Sequence, residues 1–115
     1  MIHKKDDMAV EERPNMRGGP GKVSVRHYFK PDEFKAKCRI CARLTLPPGA
    51  GIGTHKHETE DEIFLILKGE GMMDDGTTKT RVREGDAILT GNGASHAITN
   101  DGRTDLEIAA VVMCY

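Results

Sequence analysis

His55-Lys56-His57-Glu58-Thr59-Glu60-Asp61-Glu62-Ile63-Phe64-Leu65-Ile66-Leu67-Lys68-Gly69 passes from a histidine pair through an acidic run into five consecutive apolar residues. On an extended backbone, residues two apart share a face, so the imidazoles of His55 and His57 point to the same side. Glu62 stands five residues past His57, too far for the same short strand, and the polar Glu58-Thr59-Glu60-Asp61 gives the chain room to turn. Glu62 then opens a second strand, and alternation places it inward with Phe64 and Ile66. The run Ile63 to Leu67 has no polar alternation, which marks a strand covered on both faces.

Outward from this stretch, short strand-like segments recur at Val23 to Phe29, Lys37 to Leu46, Gly71 to Asp74, Lys79 to Val82, Ala87 to Leu89, Ala97 to Asn100 and Leu106 to Met113. Turn signals separate them: Pro47-Pro48-Gly49, Asp75-Gly76, Gly91-Asn92-Gly93 and Asp101-Gly102. Only Pro31 to Lys35 offers so much as one helical turn. This spacing predicts an all-β sandwich or barrel. The first 22 residues, polar and broken by proline and glycine, read as an arm or loop, leaving residues 23–115 as the single domain that a chain of 115 residues can build. Ile108 to Met113 is also apolar on both faces. Its second face, like that of Ile63 to Leu67, belongs either under the N-terminal arm or against another subunit, and a homodimer is expected on that ground.

A fourth candidate ligand, His96, follows the Gly91-Asn92-Gly93 turn and reaches the same centre from a more distant strand. Three imidazoles and one carboxylate suit a divalent transition metal. Mn, Fe, Co, Ni, Cu and Zn all accept such donors, Mn or Fe being favoured, whereas Ca and Mg prefer oxygen alone. Glu58, Glu60 and Asp61 read as solvated turn residues, with Glu60 able to replace Glu62 if the register differs. His3 and His27 have no partner at chelating spacing and read as structural or surface residues. Strand parity nominates Phe64, Ile66, Met72 and Ile98 as pocket lining, and Asn100 reads as a turn or hydrogen-bonding residue.

Charge and cysteine content narrow the class. Seventeen Lys and Arg against eighteen Asp and Glu, a formal charge of −1, argue against a broad basic surface for nucleic acid or anionic lipid. No apolar run is long enough to span a bilayer, and Met1-Ile2-His3-Lys4-Lys5 opens without an apolar signal segment, so a cytoplasmic protein is expected. Three cysteines are too few for a disulfide scaffold. In an alternating strand Cys38 and Cys41 face opposite ways, which favours structural thiols over a metal or redox pair.

The two glycine-framed stretches, Gly49-x5-His55-x-His57-x4-Glu62-x6-Gly69 and Gly85-x5-Gly91-x-Gly93-x2-His96-x3-Asn100, resemble the paired motifs of the cupin family. The resemblance implies an antiparallel double-stranded β-helix, a jelly-roll barrel, with metal ligands at His55, His57, Glu62 and His96. Position 91 departs from it, being Gly where the family has Pro. Leu46-Pro47-Pro48-Gly49-Ala50 and Gly85-Asp86-Ala87 further resemble small cupins labelled oxalate decarboxylase or sugar-isomerase-like. The function expected is a metal-dependent enzyme acting on a small oxygen-bearing metabolite: a carboxylate, a hydroxy-ketone or a sugar acid. Decarboxylase or lyase, dioxygenase and isomerase chemistry are all open, with no acid or base assigned. The alternative is a non-catalytic module that binds or senses a small molecule.

Overall fold

A computed structural model describes all residues 1–115. Ten strands run β1 (Val10–Pro14), β2 (Lys22–His27), β3 (Cys38–Leu46), β4 (Gly51–Lys56), β5 (Glu60–Lys68), β6 (Glu70–Asp74), β7 (Lys79–Arg83), β8 (Ala87–Thr90), β9 (Ser95–Thr99) and β10 (Leu106–Cys114). Helix is limited to three 3-10 turns, at Lys5–Asp7, Met16–Gly18 and Pro31–Glu33. A six-stranded sheet, ordered β1-β2-β3-β10-β5-β8, packs on a four-stranded sheet, β4-β9-β6-β7, and every strand pairing is antiparallel. This is the all-β jelly roll expected. No helix is long and apolar enough to cross a membrane.

The core lies between the sheets. Val23 and Val25 of β2, Leu44 and Leu46 of β3, Phe64 and Ile66 of β5, Ile98 of β9, and Leu106, Ile108 and Ala110 of β10 are buried together. They occupy alternate positions on their strands, which is why one face of each sheet closes over the other. Cys38 follows this inward parity, while Cys41 is half-buried, and all three cysteines are free thiols. Burial raises the pKa of Cys38 and of Cys41, so neither is a ready thiolate.

Three expectations need amendment. The first 22 residues hold β1, which extends the six-stranded sheet by pairing Val10↔Arg26 through Pro14↔Lys22. That strand joins the edge beside β2, far from β5, so the arm does not cover the outer apolar face. Leu65, Leu89 and Met113 remain 43%, 71% and 40% exposed, so residues 1–115 leave part of that face uncovered. Met72 is not inward. Gly71 and Met73 take the inward positions of β6, and a Cβ on Gly71 would stand 2.8 Å from a Leu106 methyl. With a side-chain-free residue marking the inward face, parity along Gly71-Met72-Met73 was invisible to a hydrophobic pattern.

Candidate metal centre

β4 with the residue that follows it, β5 and β9 carry the four candidate ligands to one end of the space between the sheets. His55 pairs with His96 in the β4–β9 ladder, and an irregularity between Ile52 and His55 shifts the parity of β4. Ile52 therefore enters the core while His55, three residues on, still faces inward. His57 lies one residue past β4. Its N–H donates to Ala94 O (2.9 Å) and its carbonyl accepts from Gly93 N–H (2.8 Å), which ties it to the loop before β9. Asn92 and Gly93 adopt φ of 54° and 82° in that loop. Gly91 suits it for a further reason: a Cβ there would stand 1.9 Å from Asp61 Oδ1.

The four side chains each offer one ligand atom within 4.8 Å of the others. His96 Nε2 stands 3.0 Å from His55 Nε2 and 3.1 Å from His57 Nε2. Glu62 Oε1 stands 2.9 Å from His96 Nε2, 3.1 Å from His57 Nε2 and 3.7 Å from His55 Nε2. The opposite ring nitrogens are engaged elsewhere. His55 Nδ1–H donates to Gly53 O (2.7 Å), His57 Nδ1–H donates to Glu60 Oε1 (2.8 Å), and His96 Nδ1 meets Thr90 Oγ1 (2.9 Å). Carbonyl and carboxylate acceptors fix the proton of His55 and His57 on Nδ1, so their Nε2 lone pairs face the centre.

Glu62 Oε1 is buried without a hydrogen-bond donor. Burial opposes its charge, and the carboxyl is held at about 2 only by positive character on the His55 and His96 ring nitrogens that face it, a proton or a bound cation. A carboxylate and converging lone pairs packed this closely repel one another unless a cation lies among them. The donor set thus fits a divalent metal. For a bond of 2.1 Å, donors at right angles stand about 3.0 Å apart and tetrahedral donors about 3.4 Å, and most separations here match the first.

The sequence profile of the cupin domain matches residues 42–113. The chain belongs to the cupin family. A Thermotoga maritima protein named oxalate-binding protein is 42% identical over 113 residues, covering 98% of this chain and 93% of that protein. A crystal structure from the same organism, described as a predicted oxalate decarboxylase, superposes with a TM-score of 0.95 over 100% of both chains at 41% identity. An RmlC-like cupin from Shewanella frigidimarina matches 99% of this chain and 90% of its own with a TM-score of 0.79 at 10% identity, a likeness of fold alone.

Beside its four-residue centre this cupin has a cavity of about 30 Å³ open to water centres, room for roughly two waters. Phe64 lines it and stacks on His96 with ring centroids 5.0 Å apart. Ile66 and Ile98 lie deeper in the core and do not reach it, and Met72 is on the outer face. Arg13, Arg17 and Arg39 do line it, with Met16 and Ile40. None of these five belongs to a motif, and no spacing pointed to them. Glu60 is a partner of the centre rather than a solvated turn residue. It shares the inward parity of Glu62 and accepts from Arg39 Nε (3.0 Å) and Nη2 (2.6 Å) as well as from His57. The Arg39 guanidinium, with His57, holds its carboxyl at about 2 against burial. His3 and His27 stand elsewhere, beside Glu33 (3.3 Å) and Glu11 (3.5 Å).

Proposed function

We propose that this cupin holds a divalent transition metal through His55, His57, Glu62 and His96 and acts as a metal-dependent enzyme on a small carboxylic acid, oxalate being the first candidate. The observation that carries the reading is Glu62 Oε1, a buried anion with no donor, facing imidazole lone pairs at the wall of a cavity. When bound, a divalent ion supplies Lewis acidity, and with one carboxylate ligand the centre carries a charge of about +1 toward substrate oxygens. The chain's own residues do the rest. Gly53 O, Glu60 and Thr90 hold the imidazoles in orientation, Phe64, Ile40 and Met16 exclude water, and the cavity arginines favour an anion. A cavity this small argues against a sugar acid, and the oxalate-binding name of the Thermotoga relative agrees with a smaller one. Right-angle donor spacing favours six-coordinate Mn or Fe over tetrahedral Zn.

One observation favours a second reading, binding without turnover. The imidazoles and carboxyls lining the cavity are those of His55, His57 and Glu62, all committed to the centre, and the arginines beside them stay protonated, so no lining group is left to move a proton. Metal analysis of protein purified without a chelating tag tests the first step, with close to one metal per chain expected. A chain that stays metal-free after reconstitution removes the enzyme, and oxalate binding by that metal-free chain would support the module alone. On metal-loaded protein, calorimetric binding of oxalate followed by release of CO2 supports the enzyme; binding with no turnover of oxalate, keto acids or hydroxy-ketones supports the module.

A homodimer and a cytoplasmic location complete the proposal. The apolar outer face around Leu65, Leu89 and Met113 is suited to a second copy, and free cysteines fit a reducing compartment. Equilibrium sedimentation showing only monomer at micromolar concentration would remove the dimer.

A further inference from the structure

The N-terminal segment around Met16–Gly18 is laid directly on β4. A Cβ on Gly53 would stand 2.1 Å from the carbonyl oxygen of Arg17, and a Cβ on Gly19 would stand 2.4 Å from that of Gly51. Gly51 N–H donates to Pro20 O (2.9 Å), and Met16 packs against the core. Backbone contact this close needs glycine on both sides. The strand it lies on includes Gly53, whose carbonyl orients His55.

Three arginines are among the residues that line the cavity, and they differ in what they already hold. Arg13 pairs with Glu11, and Arg39 is bidentate to Glu60. Arg17 has no carboxylate partner. Its backbone is left-handed, φ 53° and ψ 30°, and it is followed by Gly18 and Gly19. A third glycine would suit that conformation better, so the position keeps a long cationic side chain at a backbone cost. Arg17 is thus an exposed, unpaired arginine at the edge of the cavity, and a free guanidinium fork suits a carboxylate.

We propose that Arg17 is the specificity-determining residue of the site: it takes one carboxylate of a small dicarboxylic acid whose other oxygens face the four-ligand centre. This rests on the reading of the centre as a metal site for a small acid, and it adds the group that selects a second carboxylate. The strap thereby joins recognition to the strand that orients His55.

Calorimetry with oxalate and with acetate on the Mn2+-loaded full chain tests it, comparing the parent with Arg17→Gln, Arg17→Gly and Arg17→Lys. Loss of a charged hydrogen-bonding partner should weaken oxalate about 10- to 100-fold in the Gln and Gly variants. Acetate, which has no second carboxylate, should change by less than about threefold, and Lys should restore part of the oxalate loss. Mn2+ affinity should be unchanged in all three, and the Gly variant, relieved of left-handed strain, should melt no lower than the parent. Oxalate binding within about twofold of the parent in both Gln and Gly variants overturns the role of Arg17 and leaves the metal-site reading standing. Loss of Mn2+ together with oxalate overturns it too, because Arg17 would then be acting through the centre. A metal-loaded parent that binds no small acid takes down both.

Discussion

His96, near the start of β9, and Asn100, the residue after its end, stand four residues apart, 2% and 0% exposed, and are solvated by the protein in opposite ways. Asn100 is complete. Its Nδ2 donates to Leu46 O and Thr104 O, both at 2.8 Å, and its Oδ1 accepts from Gly102 N–H at 3.0 Å. Its backbone N–H donates to Ala50 O, and its carbonyl accepts from Gly49 N–H. His96 has one partner, Thr90, on Nδ1, while its Nε2 faces two imidazoles and the donor-free Glu62 Oε1. Buried polar groups in native proteins are paired. The end of the barrel where pairing closes is architecture, and the end where it stays open is where a ligand completes it.

The sharpest way to break that contrast is to close the open end. Glu62→Gln keeps the side chain's shape and volume but supplies an amide N–H to the facing Nε2 lone pairs. Metal affinity should fall at least about 1000-fold, beyond the 10- to 100-fold that an outer-shell partner carries. His96→Ala should lose metal occupancy to the same degree. Metal occupancy unchanged in either variant, read by elemental analysis after reconstitution, would show that the four side chains are a packing cluster like any other.

Opening the closed end should do the reverse. Asn100→Ala leaves Leu46 O, Thr104 O and Gly102 N–H without the side chain that satisfies them. Stability should drop by about 2–4 kcal/mol in denaturant titration, with the metal-binding affinity of the folded fraction retained. If Asn100→Ala weakened metal binding as much as stability, the two ends would not be separable.

The sequence exposes these two ends unequally. His55, His57 and Glu62 were legible because parity on short strands and an acidic turn are local properties, and His96 because a turn of Gly and Asn announces the strand after it. The partners that orient the rings were not. Glu60 sits in a run of four polar residues that reads as solvent-facing, and only the position of Arg39 on β3 draws it inward. Thr90 is an ordinary strand-end residue until β8 is set beside β5 and β9. β1 was hidden for another reason: Val10-Glu11-Glu12-Arg13-Pro14 is exposed almost throughout, so no apolar period marks it, and its pairing with β2 makes it a strand. The cavity arginines belong to the same class. Arg13 and Arg17 reach the site through the path of the N-terminal segment, which no spacing records.

Thr90 gives the smallest and most discriminating test. A metal that takes the lone pair of His96 Nε2 leaves the proton on Nδ1, and Thr90 Oγ1 is then the acceptor that holds the ring in place. Thr90→Val keeps the branched shape and removes that acceptor. Metal affinity should fall about 10-fold, with little change in melting temperature, since Phe64 still stacks on the ring at an interplanar angle of 18°. A fall in affinity without a fall in stability assigns Thr90 to the open end of the barrel. No fall at all would mean that stacking and the His55↔His96 register suffice to aim the imidazole, and that the hydroxyl belongs with Asn100 among the groups that only complete the fold.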